Sequence, residues 1–380
     1  MTKKRFSVSI IYFVVVILTL LMRVASALDI YSALGVQDDD AFWSCLIQIV
    51  IFGVIPFGAY MLFVRGKGDD FLPYFAGEER QEVKDFAGFI DAKEVEKVFD
   101  DATLASEESK SEEAHEAPAL SRKDKVKVAF KVFCNDFGFK KLGWKDALCT
   151  LVLGIVMIVV AMGVSLVWQV ILKMLGFVHI SSDTDYSSVG VLFKELFLVA
   201  VLPGVFEEFT HRGLLFAGYQ KTKYKFVILS ALLFSLMHQN IVQTGYTFVD
   251  GLVMALVMYY TRSIWASMFM HFLNNAVSVG LGYIEQNGGP FDFVNKFEDW
   301  LYSSPLGIVV MFMGFILCSG IAILMIILIR KNAVKAGRIR KKAFDPPIDE
   351  YPRHKDPMFI VTVVVGVVAT IFSLVWGLMR

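Results

Sequence analysis

The sequence predicts an all-α polytopic membrane protein with about nine transmembrane helices. Three observations carry that expectation. Apolar residues make up 56 % of the 380 residues, with a mean hydropathy of +0.58, above the roughly 45–50 % of soluble domains. They fall in long runs, and about 20 apolar residues at 1.5 Å rise span a hydrocarbon core of roughly 30 Å. Basic and non-basic connectors alternate between the runs, as the distribution of Lys and Arg in membrane proteins requires. The balance of 37 basic and 37 acidic side chains argues against a nucleic-acid partner, which calls for a basic surplus.

The runs lie at 6–28, 42–64, 147–172, 190–217, 226–241, 246–261, 263–284, 305–329 and 357–379. Lys3, Lys4 and Arg5 precede the first. The same run followed by Ala25-Ser26-Ala27 also fits a cleavable signal peptide, and cleavage would leave eight spans. The connector 29–41 has four Asp and no base. The insert 65–145 carries 15 Lys/Arg and 18 Asp/Glu. Its stretch 106–118 reads as a disordered linker, and its basic, Phe-bearing stretch 122–145 reads as an amphipathic helix on a membrane surface or a solvated lead-in to the third span. The connector 175–189 has no base, Lys221, Lys223 and Lys225 follow the fourth span, 285–304 has one base against four acids, and 330–342 has seven bases and no acid. This alternation places the N-terminus in the cytoplasm and the C-terminus outside. Four parts follow: two N-terminal helices (1–64), a charged cytoplasmic insert (65–145), a core (146–284), and two C-terminal helices with a basic cytoplasmic connector (285–380). The four cysteines have no metal spacing, and no disulfide is indicated.

Ionisable groups inside a span are costly and mark function by default. They concentrate in Glu207, Glu208, His211 and Arg212 of the fourth span, His238 of the fifth and His271 of the seventh. Counted from the basic end of each span, Glu207 lies roughly 15 Å deep, His238 roughly 20 Å and His271 roughly 14 Å. Three helices thus bring polar groups near one plane. Residues i and i+4 share a helix face, so Glu208 can pair with Arg212. Glu207, about 100° away, lacks that partner and suits general-base work. His271 and Asn275 also share a face and could offer donors to an oxyanion.

Glu207-Glu208-x-x-x-Arg212, Phe234-x-x-x-His238 and His271-x-x-x-Asn275, in that order and in separate spans, resemble the three motifs of the CAAX-protease and bacteriocin-processing (CPBP, or Abi) family of intramembrane proteases. The resemblance covers about 190–284. It implies that Glu207 and His238 activate a water, that His271 and Asn275 stabilise the oxyanion, and that Glu208 and Arg212 organise the site. Spans four to seven would then form a four-helix catalytic core. The expected activity is endopeptidase cleavage of a membrane-associated peptide or protein, lipidated or not, in a bacterial plasma membrane, as CAAX-type C-terminal processing or bacteriocin-related maturation or immunity. From residue types alone, Glu207, His238 and His271 could also hold one zinc with an open position. The cofactor is therefore none or a single divalent metal. Two other functions fit the same residues: an ion- or proton-coupled transporter, and a non-enzymatic immunity or scaffold protein.

Overall fold

The computed structural model describes residues 3–27, 43, 45–61, 130, 133–178, 185–219, 223–339 and 357–379. Among these, the long elements are helices: α1 Lys3–Ala27, α2 Leu46–Ala59, α3 Trp144–Met174, α4 Val189–Tyr219, α5 Lys223–Met237, α6 Ile241–Thr261, α7 Ile264–Asn287, α8 Asp292–Ser303, α9 Pro305–Lys335 and α10 Pro357–Leu378. A helix stands at each of the nine apolar runs. Six of them (α1, α3, α4, α6, α9 and α10) are long and apolar enough to cross a membrane. Helices α2 and α5 are apolar but shorter, and α7 is long but carries His271, Asn274 and Asn275 in its middle. The chain is a polytopic all-α membrane protein.

Local chemistry sets the helix ends. Asn240 caps α6, its side chain accepting from the Val242 N–H at 3.0 Å. Arg262 ends α6 in the left-handed region at φ 57° and returns its N–H to the Met258 carbonyl at 2.9 Å. Ser304 caps α9, accepting from Gly307 N–H at 2.8 Å, with Pro305 at the first helical position, where a missing N–H costs nothing. One helix departs from the sequence reading. The connector 285–304 holds α8, in which Phe293, Phe297 and Trp300 recur at helical spacing among acids. Its charge, read as a connector signal, hid that period.

Two units separate by contact: Met1–Val64 with Asn135–Arg380, and Arg65–Cys134. Nearly all of the second, including the expected linker 106–118 and most of 122–134, lies outside the described residues. Phe130 and Phe133 in it bring their rings to 6.2 Å. In the first unit, residues 135–143, which the sequence reading assigned to the insert, are built onto the helices. Tyr60 donates to the Asp136 carboxylate, the Gly138 carbonyl accepts from Ile264 N–H at 2.8 Å, and the Lys140 carbonyl accepts from Ser263 Oγ at 2.7 Å.

Packing within this unit runs α3 against α6, α7 and α9, α5 against α6 and α10, α4 against α2 and α7, and α1 against α10 and the end of α4. Small residues allow the close approaches, as in membrane helix pairs generally. A Cβ on Gly251 of α6 would sit 2.9 Å from Ala231 Cα of α5, and one on Gly204 of α4 would sit 3.2 Å from Phe272 N of α7. Helix α9 is peripheral: only 11 % of its apolar window is buried, and Phe312, Met313 and Leu317 point outward, as lipid contact requires. Near its C-terminus Arg338 clamps three helices, donating to Asp146 Oδ2 of α3 at 2.6 Å and to the Thr261 carbonyl of α6 at 2.9 Å, while Asn332 donates to Asp146 Oδ1 at 3.0 Å. Helix α1, open in the sequence to signal-peptide cleavage, is built into the bundle through buried Val8, Tyr12 and Val15.

Candidate active site

Helix α4 is not a regular α-helix. It opens into wide π-type turns at Leu196–Val201 and Phe209–Leu214, a feature that often marks functional positions. Pro203, with no N–H to donate, follows the first. The second begins directly after Glu207 and Glu208 and contains Thr210, His211 and Arg212, all three buried. Neighbours satisfy the polar groups there. Ser230 of α5 donates to the His211 carbonyl at 2.9 Å, and Thr210 donates to the Phe52 carbonyl of α2 at 2.7 Å.

Arg212 Nη1 donates to Glu208 Oε1 at 2.6 Å, the i,i+4 pair expected from sequence, with both side chains fully buried. The same oxygen takes His271 Nδ1 at 2.9 Å. Glu208 thus ties α4 to α7. The Phe234 ring lies at the centre of this cluster. Arg212 Cζ stands 4.3 Å from its centroid, a cation–π contact. The His211, His238 and His271 rings meet it edge-on at 5.1, 5.0 and 5.4 Å.

Glu207 points elsewhere, as its 100° offset requires. Its Oε1 accepts from Gln48 Nε2 of α2 at 2.8 Å, and it lines a cavity of about 390 Å³. His238, His271 and Asn275 line the same cavity, so the four sequence-predicted candidates come together. His238 Nδ1 lies 2.8 Å from the Phe234 carbonyl. A carbonyl only accepts, so this nitrogen carries the proton and Nε2 of the neutral ring holds a lone pair. Asn275 spends one N–H on the Val199 carbonyl at 2.8 Å and keeps a second.

Several residues of the site were absent from the sequence reading. Gln48, and Gly154 and Met157 of α3, line the cavity, so its wall extends beyond the four helices expected. Asp250 lies in the middle of α6, 8 % exposed, on the cavity wall. The rule that singled out Glu207, an ionisable group inside a span, would have found it. His211, which the sequence could not place, is fully buried, with its Nδ1 paired to the Tyr12 hydroxyl of α1.

The metal alternative finds no ready site. Among the described residues no group of three His, Cys, Asp or Glu side chains comes together as metal ligands. Glu207, His238 and His271 share the cavity but, as placed, do not converge on one point. In this arrangement the three residues do not form a zinc site.

Residues 190–277 match the family model for the type II CAAX prenyl endopeptidase Rce1-like proteins. The match covers the stretch that carries the three motifs, from α4 into α7, and agrees with their resemblance to the CAAX-protease family. It supports a CAAX-type intramembrane endopeptidase in general terms, acting on a peptide within a membrane. No curated protein and no solved structure matches the chain.

Proposed function

We propose that the chain is an intramembrane endopeptidase in which Glu207 and His238 activate a water inside the cavity. The observation that carries this reading is the meeting of Glu207, His238, His271 and Asn275 around one cavity, inside the stretch that matches the protease family. Gln48 holds one oxygen of Glu207 and leaves the other for the water. The lone pair on His238 Nε2 accepts the second hydrogen. The water is then oriented by two acceptors, and Glu207 takes its proton as the oxygen attacks the scissile carbonyl. The carboxyl proton passes to the leaving amine as the C–N bond breaks.

Donors for the tetrahedral oxyanion come from α7. The second N–H of Asn275 is one. His271, held through Nδ1 by Glu208 at 2.9 Å, supplies the other when both of its ring nitrogens carry protons. Such donors act most strongly in a site shielded from water. Glu208 and Arg212 position His271 and do not touch the substrate. The form of substrate suggested by the family match is the C-terminus of a prenylated chain.

The test uses full-length protein in lipid vesicles with a fluorogenic prenylated peptide. Glu207→Gln and His238→Ala should each abolish cleavage with the fold retained. Asn275→Ala should lower kcat by about 10²–10³-fold, as loss of an oxyanion donor does. Full activity in Glu207→Gln would overturn the assignment.

A further inference from the structure

The proposed chemistry leaves one ionisable group of the cavity unused. Asp250 is more than nine-tenths buried, faces the cavity from the middle of α6, and makes no hydrogen bond or ion pair among the described residues. Arg212 and His271 act on its charge only from a distance, and each is hydrogen-bonded to Glu208 instead, Arg212 Nη1 at 2.6 Å and His271 Nδ1 at 2.9 Å. A buried carboxylate without a partner is costly, so a partner from outside would bind strongly.

The rest of the α6 face defines what fits. Gln243, Tyr246, Thr247, Asp250 and Met254 all line the cavity, at the spacing of one helix face. Three polar side chains precede the carboxylate on this face, and no Lys or Arg lines it. The backbone behind is fixed, because Gly251 packs directly on Ala231 of α5. Two carboxylates, Glu207 and Asp250, and no Lys or Arg line the cavity, so its field favours a cation.

We infer that Asp250 is a specificity group of the cavity, receiving a basic side chain of the substrate peptide. This rests on the endopeptidase reading for the nature of the ligand, and the test separates the two. Full-length Glu207→Gln protein in phosphatidylcholine vesicles is titrated with labelled apolar peptides that carry Lys, Gln or Glu at successive positions. At one position Lys should bind about tenfold or more tighter than Gln, as a desolvated charge pair does. Adding the isosteric Asp250→Asn change should bring that ratio to about one, and Asp250→Lys should shift the preference to Glu. A Lys preference that survives Asp250→Asn, or none at any position, would overturn the inference. In the cleavage arm, Asp250→Asn in the otherwise wild-type chain should raise KM for the Lys peptide alone. An equal fall in kcat for every peptide would instead make Asp250 a proton-transfer group and overturn the inference. Asp250-dependent Lys binding with no cleavage of any peptide by wild-type protein would refute the endopeptidase reading and leave this inference standing.

Discussion

Replacing Glu208 by Gln tests the most heavily buried part of the site. Glu208 and Arg212 are fully buried, and His271 is only 5 % exposed. One carboxylate oxygen serves both Arg212 at 2.6 Å and His271 at 2.9 Å. Glu208→Gln keeps the shape but leaves the Arg212 guanidinium without its counter-charge. Breaking a buried pair from one side costs about 3–5 kcal/mol. The reciprocal change, Arg212→Gln, should cost a similar amount. The double variant should cost less than the sum by about 2–3 kcal/mol, because neither charge is then stranded. Reversible unfolding by SDS titration in mixed micelles measures all three. The Glu208→Gln protein should also lose activity, since His271 loses the acceptor that orients it. Single effects under about 1 kcal/mol, or effects that add within about 0.5 kcal/mol, would refute the coupled-pair reasoning.

Three further outcomes follow from the same structure. Tyr12→Phe strips the hydroxyl from His211 and should destabilise by about 1–3 kcal/mol in the same titration. Asp146→Asn removes the charge that Arg338 holds at 2.6 Å and should cost about 1–3 kcal/mol, read as a lower SDS midpoint. Burial, and then the neighbouring Arg262 guanidinium, push the Lys140 ammonium down to about 8, against about 10.4 in an unfolded chain. Between those values the unfolded chain binds a proton that the folded chain lacks, so stability should rise as pH climbs from about 8 toward 10. The thermal midpoint of Lys140→Met protein should show a flatter slope over that window.

How much the sequence disclosed depended on distance along the chain. Helices stand at each of the nine apolar runs because run length and apolarity are local properties. The Glu208–Arg212 pair was legible because i,i+4 geometry is fixed by the helix itself. Glu208 with His271 was not, because those residues lie 63 apart and no local pattern says which helices become neighbours. Gln48 on Glu207 and Tyr12 on His211 were hidden for the same reason, at separations of 159 and 199 residues. The wide turns of α4 leave no periodic mark, since the first is apolar throughout and the second mixes polar and apolar residues. Asp250 and helix α8 were missed differently. A lone carboxylate in an apolar run and a helical period inside an acidic connector are both local signals, and each was outweighed by its surroundings.

The central claim is that Glu207 makes this cavity a proteolytic centre. It is tested most directly by comparing the membrane proteomes of cells that carry the wild-type chain and the Glu207→Ala chain at equal abundance. At least one membrane peptide or protein should occur in cleaved form only with wild type, its intact form accumulating with Glu207→Ala. Identical cleavage products in both membranes would contradict it.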